Sequence, residues 1–259
     1  MKKTLIALFL LMIPVGLFAA DISTVVVVSI DALHPLALAK NVSPNLWQIM
    51  QAGQFTLEGK SVTPPQTLIN HSAMLTGVPP EKGGRTDNDW RPGQPQVTMS
   101  TLFDDMKGRG YENAFFYSKP KLGYLAGRSL KIHKLVPDTG VDEARRFVGE
   151  GGKRFVMLHI SGLEFAGIEN GWLSPDYLEE LTFIDALLLP LLNDLKKRCH
   201  YLLIVTSDHA GHEKKHGTNH PEDYRLPFII LSDIKNFPDI QGRPYSVTEL
   251  RSIVGDALR

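Results

Sequence analysis

Residues 201–217 read YLLIVTSDHAGHEKKHG. The first six form an unbroken, largely apolar run, the pattern of a short strand buried on both faces of a sheet. The run stops at Ser207, Asp208 and His209, and His212 and His216 follow within one short loop. An acid and three imidazoles add nothing to a core. They do suit a site, because sites in open α/β sheets collect beyond the carboxyl ends of the strands.

Working outward, two more segments share this design. Residues 24–31 (TVVVVSID) end in Asp31, and residues 154–161 (RFVMLHIS) end in His159 and Ser161, with Glu164 just beyond. Residues 113–118 (NAFFYS) and 227–232 (PFIILS) are further candidate strands. Helical patterns lie between them. Residues 43–53 (SPNLWQIMQAG) place Ser43 as N-cap, Pro44 in the first turn and Gly53 at the end. Residues 98–110 space Met99, Leu102, Phe103 and Met106 at helical intervals. The longest pattern spans residues 174–198, with Ser174 as cap, Pro175 in the first turn and a kink expected at Pro190. Residues 247–258 close the chain with another. This alternation predicts an α/β fold, a three-layer sandwich with a mainly parallel central sheet.

The remaining features narrow the class. The 259 residues are 43% hydrophobic and 22% charged, enough for one domain with a sizeable core. No repeat or linker divides residues 21–259. Residues 1–20, MKKTLIALFLLMIPVGLFAA, have the layout of a secretory signal peptide, with a cut after Ala19 or Ala20. The expected location is the periplasm or outside the cell, with no membrane span left after cleavage. Losing Lys2 and Lys3 takes the formal charge from 0 to −2, so no basic field draws in a nucleic-acid polymer. The single cysteine, Cys199, cannot form an internal disulfide.

Asp31, Asp208 and His209 together form a set of oxygen and nitrogen donors suited to Zn²⁺ or Mn²⁺. A second clue is residues 62–77, VTPPQTLINHSAMLTG. Thr67 stands where a helix begins and Gly77 where it ends. A threonine there can be a plain N-cap. The same position also gives a hydroxyl the positive end of a helix and free backbone N–H groups, which favour an alkoxide and a phosphate oxygen. Asn70 and His71 lie one turn further on.

These motifs, in this order, resemble the alkaline phosphatase superfamily, within it the type I phosphodiesterase/nucleotide pyrophosphatase branch. VVVVSIDALHP (25–35) is similar to the first strand with its metal-binding aspartate, Asp31. PPQTLINHSAMLTGVPPEKGG (64–84) resembles the nucleophile motif, with Thr67 as nucleophile and Asn70 stabilising the oxyanion. TSDHAGHEKKHGTNHPEDYRLPFII (206–230) resembles the last metal motif, with Asp208, His209 and His216 as ligands. The resemblance implies a minimal alkaline phosphatase-like domain over residues 21–259. It also implies one or two divalent ions, zinc foremost with manganese or magnesium as alternatives, a phospho-threonine intermediate and a small phosphoester substrate. Lys119 and Lys121, just after the strand at 113–118, are candidate substrate contacts.

One segment departs from the pattern. Where an aspartate and, four residues on, a histidine are expected, residues 159–172 (HISGLEFAGIENGW) carry Glu164 and Ile168. Glu164 can ligate; Ile168 cannot. The site of Asp31, Thr67, Asp208 and His209 is complete, whereas the site of Glu164 and His216 lacks its middle ligand. Three readings stay open. His159, Glu169, His212 or His220 fills the gap; the enzyme works with one tightly held metal; or the chain is a non-catalytic binder of a metal or phosphoester. Cys199 lies elsewhere and no formylglycine motif surrounds Thr67, which argues against a sulfatase.

Overall fold

Valines 25–28 of the first strand alternate between two cores. Val25 and Val27 join one apolar cluster, Val26 and Val28 the other, and all four are fully buried. A strand covered on both faces needs no polar alternation, which is why it is legible as a continuous run. In a computed structural model, the protein is described over residues 22–234 and 238–259; the leader read in residues 1–20 lies outside that range.

The strands are β1 (Thr24–Ile30), β2 (Gln54–Lys60), β3 (Glu112–Tyr117), β4 (Ile132–Leu135), β5 (Arg154–Ile160), β6 (Tyr201–Thr206), β7 (Arg225–Ser232) and β8 (Tyr245–Ser246). The helices are α1 (Pro44–Ala52), α2 (Thr67–Thr76), α3 (Leu102–Gly108), α4 (Gly140–Gly149), α5 (Gly162–Asn170), α6 (Pro175–Arg198) and α7 (Leu250–Ala257). One sheet of eight strands runs in the order β4-β3-β5-β1-β6-β7-β2-β8. From β4 to β6 every pair is parallel; β7 pairs antiparallel with both β6 and β2. Helices α2, α3 and α7 pack on the Val25/Val27 face, and α1, α4, α5 and α6 on the Val26/Val28 face. The three-layer, mainly parallel α/β sandwich expected from the sequence is the observed fold.

Local expectations fare unevenly. Ser174 caps α6, its hydroxyl accepting from the Tyr177 N–H, and Gly77 ends α2 with a φ of 74°. Ser43 does not cap α1: its hydroxyl donates back to Ala39 O. Thr67 is the first residue of α2 rather than its cap, which is Gln66. Its hydroxyl is therefore not committed to closing the helix.

The topology places the site. β3, β5, β1 and β6 are adjacent and parallel, so their carboxyl ends open on one edge. Ser29 pairs with His159 on one side and Thr206 on the other, and Asp31 N donates to Ile160 O at 2.8 Å. Residues at the ends of these strands come within side-chain reach, although His159 and Asp208 lie 128 and 177 positions from Asp31 in sequence.

Candidate metal centre

Asp31 follows β1 and is fully buried. The next residue, Ala32, has a φ of 63°, unusual for a side chain with a Cβ. Its N–H donates to Asp208 Oδ1 at 3.3 Å, and its carbonyl accepts from Tyr177 Oη at 2.8 Å and Trp172 Nε1 at 3.3 Å. This held turn keeps the two aspartates side by side. Asp208 and His209 leave the end of β6, also fully buried.

These residues form the first half of the centre. His209 Nε2 lies 3.4 Å from Asp31 Oδ1 and 3.5 Å from Asp208 Oδ2. None of these three buried atoms has a hydrogen-bond partner. His209 Nδ1 donates to Ala210 O at 2.8 Å, which leaves a lone pair, not a proton, on Nε2. Three buried atoms that converge with lone pairs and no hydrogen between them are costly unless a cation joins them. The donor set fits a divalent ion such as zinc.

Supporting residues hold the set. His159 donates from Nε2 to Asp31 Oδ2 at 3.1 Å, and its Nδ1 accepts from the Ser118 hydroxyl at 2.7 Å. His71, on α2, donates from Nδ1 to Thr67 O at 2.8 Å, and its Nε2 accepts from Ser29 Oγ at 2.9 Å. Burial pushes the His71 ring down to about 4, so it is a neutral brace.

The second half is built differently. Glu164, in the first turn of α5, faces His216, whose Nε2 is 3.3 Å from Glu164 Oε1. The His216 and His209 rings stack with centroids 4.7 Å apart. Trp172 backs them, packed against His216 and so closely over Gly167 and Gly211 that a Cβ at either would overlap the indole. Burial, with the His209 ring beside it, pushes His216 down to about 4, so its ring is neutral at pH 7.

Between the halves sits Lys119. Its Nζ donates to Asp31 Oδ2 at 2.5 Å, to Thr67 Oγ1 at 3.1 Å and to Glu164 Oε2. The Thr67 hydroxyl and the Asp31 carboxylate thus touch the same ammonium. Burial works to lower the Lys119 pKa, but Asp31, Glu164 and Asp208 raise it above the ordinary lysine value. Burial raises the Asp31 carboxyl, yet Lys119, His159 and His209 overcome this and hold it well below the carboxylate range. Glu164 goes the other way: burial and the Asp31 charge raise it, and Lys119 offsets only part. Lys121, half-buried nearby, is lowered by burial and by the Lys119 charge; no hydrogen bond or ion pair engages it among the described residues.

The structure thus gathers Asp31, Thr67, Lys119, Glu164, Asp208, His209 and His216, with Lys121 behind them. It does not bring Asn70 to them. Asn70 Oδ1 accepts from Val62 N at 2.7 Å, and Nδ2 donates to Pro64 O and Gln66 O at 3.1 Å. That amide is spent on the backbone entering α2, which corrects the oxyanion role expected for it. The residue that sequence reasoning missed is Asn88. Its Oδ1 accepts from Leu68 N at 2.8 Å, which anchors its amide at the start of α2 beside Thr67. The only signal was a polar residue in the loop TDND, which does not distinguish it from its neighbours.

The substitutes considered for the missing ligand are also placed. His159 braces Asp31. Glu169 lies on an exposed part of α5. His212 and His220 stack on each other, with His212 bonded to Asp223. Ile168 is 45% exposed. Lys119, read as a substrate contact, has turned inward instead.

Residues 25–116 match the family model described as type I phosphodiesterase/nucleotide pyrophosphatase. Several solved structures superimpose on nearly the whole chain. The C-terminal periplasmic domain of EcEptC from Escherichia coli, in complex with Zn, aligns at TM-score 0.69 and 16% identity over 92% of this chain and 83% of that one. A protein in the alkaline phosphatase superfamily from Vibrio parahaemolyticus aligns at 0.64 and 15%, over 93% and 67%. The fold is the one that these solved structures share. BT1596, a 2-O GAG sulfatase, aligns with the chain at 0.70 and 12%, over 92% and 71%. No curated protein matches it. The family match contains Asp31, Thr67 and Asn88 but ends before Lys119, Glu164, Asp208 and His216, so the departures in the second half lie outside it.

Proposed function

We propose that the protein is a periplasmic, metal-dependent phosphoester hydrolase whose nucleophile is Thr67. The observation that carries this reading is the convergence of Asp31 Oδ1, Asp208 Oδ2 and His209 Nε2, buried and without hydrogen bonds, beside a threonine hydroxyl at a helix N-terminus. Asp31, Asp208 and His209 would hold the ion, zinc foremost. When bound, it would lower the pKa of a nearby hydroxyl and neutralise charge on the phosphoryl group.

The chain's own groups supply the rest. Lys119 orients Thr67 Oγ1 and adds positive charge next to it. Thr67 attacks phosphorus; its Oγ–P bond forms as the bond to the leaving oxygen breaks, the Thr67 proton going to solvent. Water then attacks the phospho-threonine, and Oγ regains a proton as the Oγ–P bond breaks. The amide of Asn88 and the N-terminal end of α2 face the phosphoryl oxygens during both steps. Lys121, unpaired and half-buried, suits a further anionic group of a small substrate.

The test is hydrolysis of a chromogenic phosphodiester, a phosphomonoester and an aryl sulfate by the zinc-loaded protein. Turnover of a phosphoester that Thr67→Ala abolishes supports the reading. Zinc binding with no turnover of any substrate would make the chain a binder instead.

A further inference from the structure

Charge counting makes Lys119 more than a substrate contact. The centre holds three carboxylates, Asp31, Asp208 and Glu164, and one buried ammonium that touches two of them. The remainder is two negative charges, the complement of one divalent ion. A second divalent ion would leave the buried cluster strongly cationic, a state that low-dielectric surroundings disfavour.

Ligand counting agrees. Two donor groups can be drawn, Asp31 with Asp208 and His209, and Glu164 with His209 and His216. His209 has one free ring nitrogen, because Nδ1 is bonded to Ala210 O, so it serves only one group. Once it joins the aspartates, the other group retains Glu164 and His216. Two protein ligands are fewer than zinc sites employ, and Asp31 Oδ2, the oxygen that could complete the set, is taken by Lys119. Ile168, at the position of a third, is aliphatic and exposed.

Resting on the hydrolase reading above, we infer that Lys119 is a built-in second cation: its ammonium takes the place of a second metal ion between Asp31, Glu164 and Thr67, and the centre is mononuclear. Lys121 reinforces this, since an unpaired cation beside the cluster repels another ion.

The experiment counts zinc per chain by plasma mass spectrometry after dialysis at fixed free Zn²⁺. All proteins carry His220→Ala, which removes the separate group of His212, His220 and Asp223. The expected count is one for the otherwise native chain and two for Lys119→Met. A native count of two, or an unchanged count in Lys119→Met, overturns the inference. Circular dichroism checks that Lys119→Met folds. Glu164→Gln, which keeps the lysine, provides an independent arm: the single ion should remain, with affinity reduced less than about tenfold, whereas a larger loss would make Glu164 its ligand and overturn the inference. The two readings fail differently. A native chain with no bound ion defeats the hydrolase proposal, whereas one that hydrolyses with two ions defeats only the lysine's role.

Discussion

The two halves of the centre use similar residue types to opposite ends. Around Asp31, Asp208 and His209, every supporting hydrogen bond orients a ligand and leaves lone pairs free. Around Glu164 and His216, the carboxylate is neutralised by Lys119, and the histidine is held by stacking on His209 and by the tilted ring of Trp172. One half is arranged for an ion; in the other a side chain supplies the positive charge. Donor inventory alone does not separate them. What separates them is where the hydrogen bonds and the ammonium already are.

The largest expected effect breaks the first half at its proposed nucleophile. Thr67→Ala should lower phosphoester turnover by at least about a thousandfold with little change in melting temperature, read from steady-state kinetics and a thermal melt. Close behind is Asp208→Asn, expected to abolish tight zinc binding, as measured by titration calorimetry. Stripping the native protein with a chelator should remove activity that added Zn²⁺ restores. His159→Gln sharpens the contrast one layer out. The loss of the brace on Asp31 should weaken zinc about 10- to 100-fold.

The smallest functional effect belongs to the second half. His216→Ala should reduce zinc affinity less than His159→Gln does, even though His216 is the expected ligand of the two; the reverse order would equalise the halves. Its neighbour matters for stability instead. Trp172→Ala removes a buried indole packed on two glycines and should cost about 3–5 kcal/mol, visible in denaturant unfolding.

Much of this was legible in the chain. The runs at β1, β5 and β6 announced a doubly covered sheet because their central residues are apolar on both faces. Polar residues at the ends of those runs announced the site. Strand β2 (QFTLEGK) escaped notice, being polar on one face and broken by Gly59, and β4 and β8 are too short to show a period. The exchange of Asn70 for Asn88 was equally hidden. Both flank the same helix start, and only the backbone path decides which amide is spent on carbonyls.

By itself the sequence determined the layers, the strands that carry the site and the residue types able to bind an ion, because hydrophobic period and donor chemistry are local properties. Tertiary structure alone decided which of those residues share a partner. β3 lies beside β5, and that adjacency aims Lys119 at Asp31 and Glu164. A lysine that reads as surface in one dimension becomes the counter-ion of a buried cluster, because low dielectric makes its charge most favourable between two carboxylates.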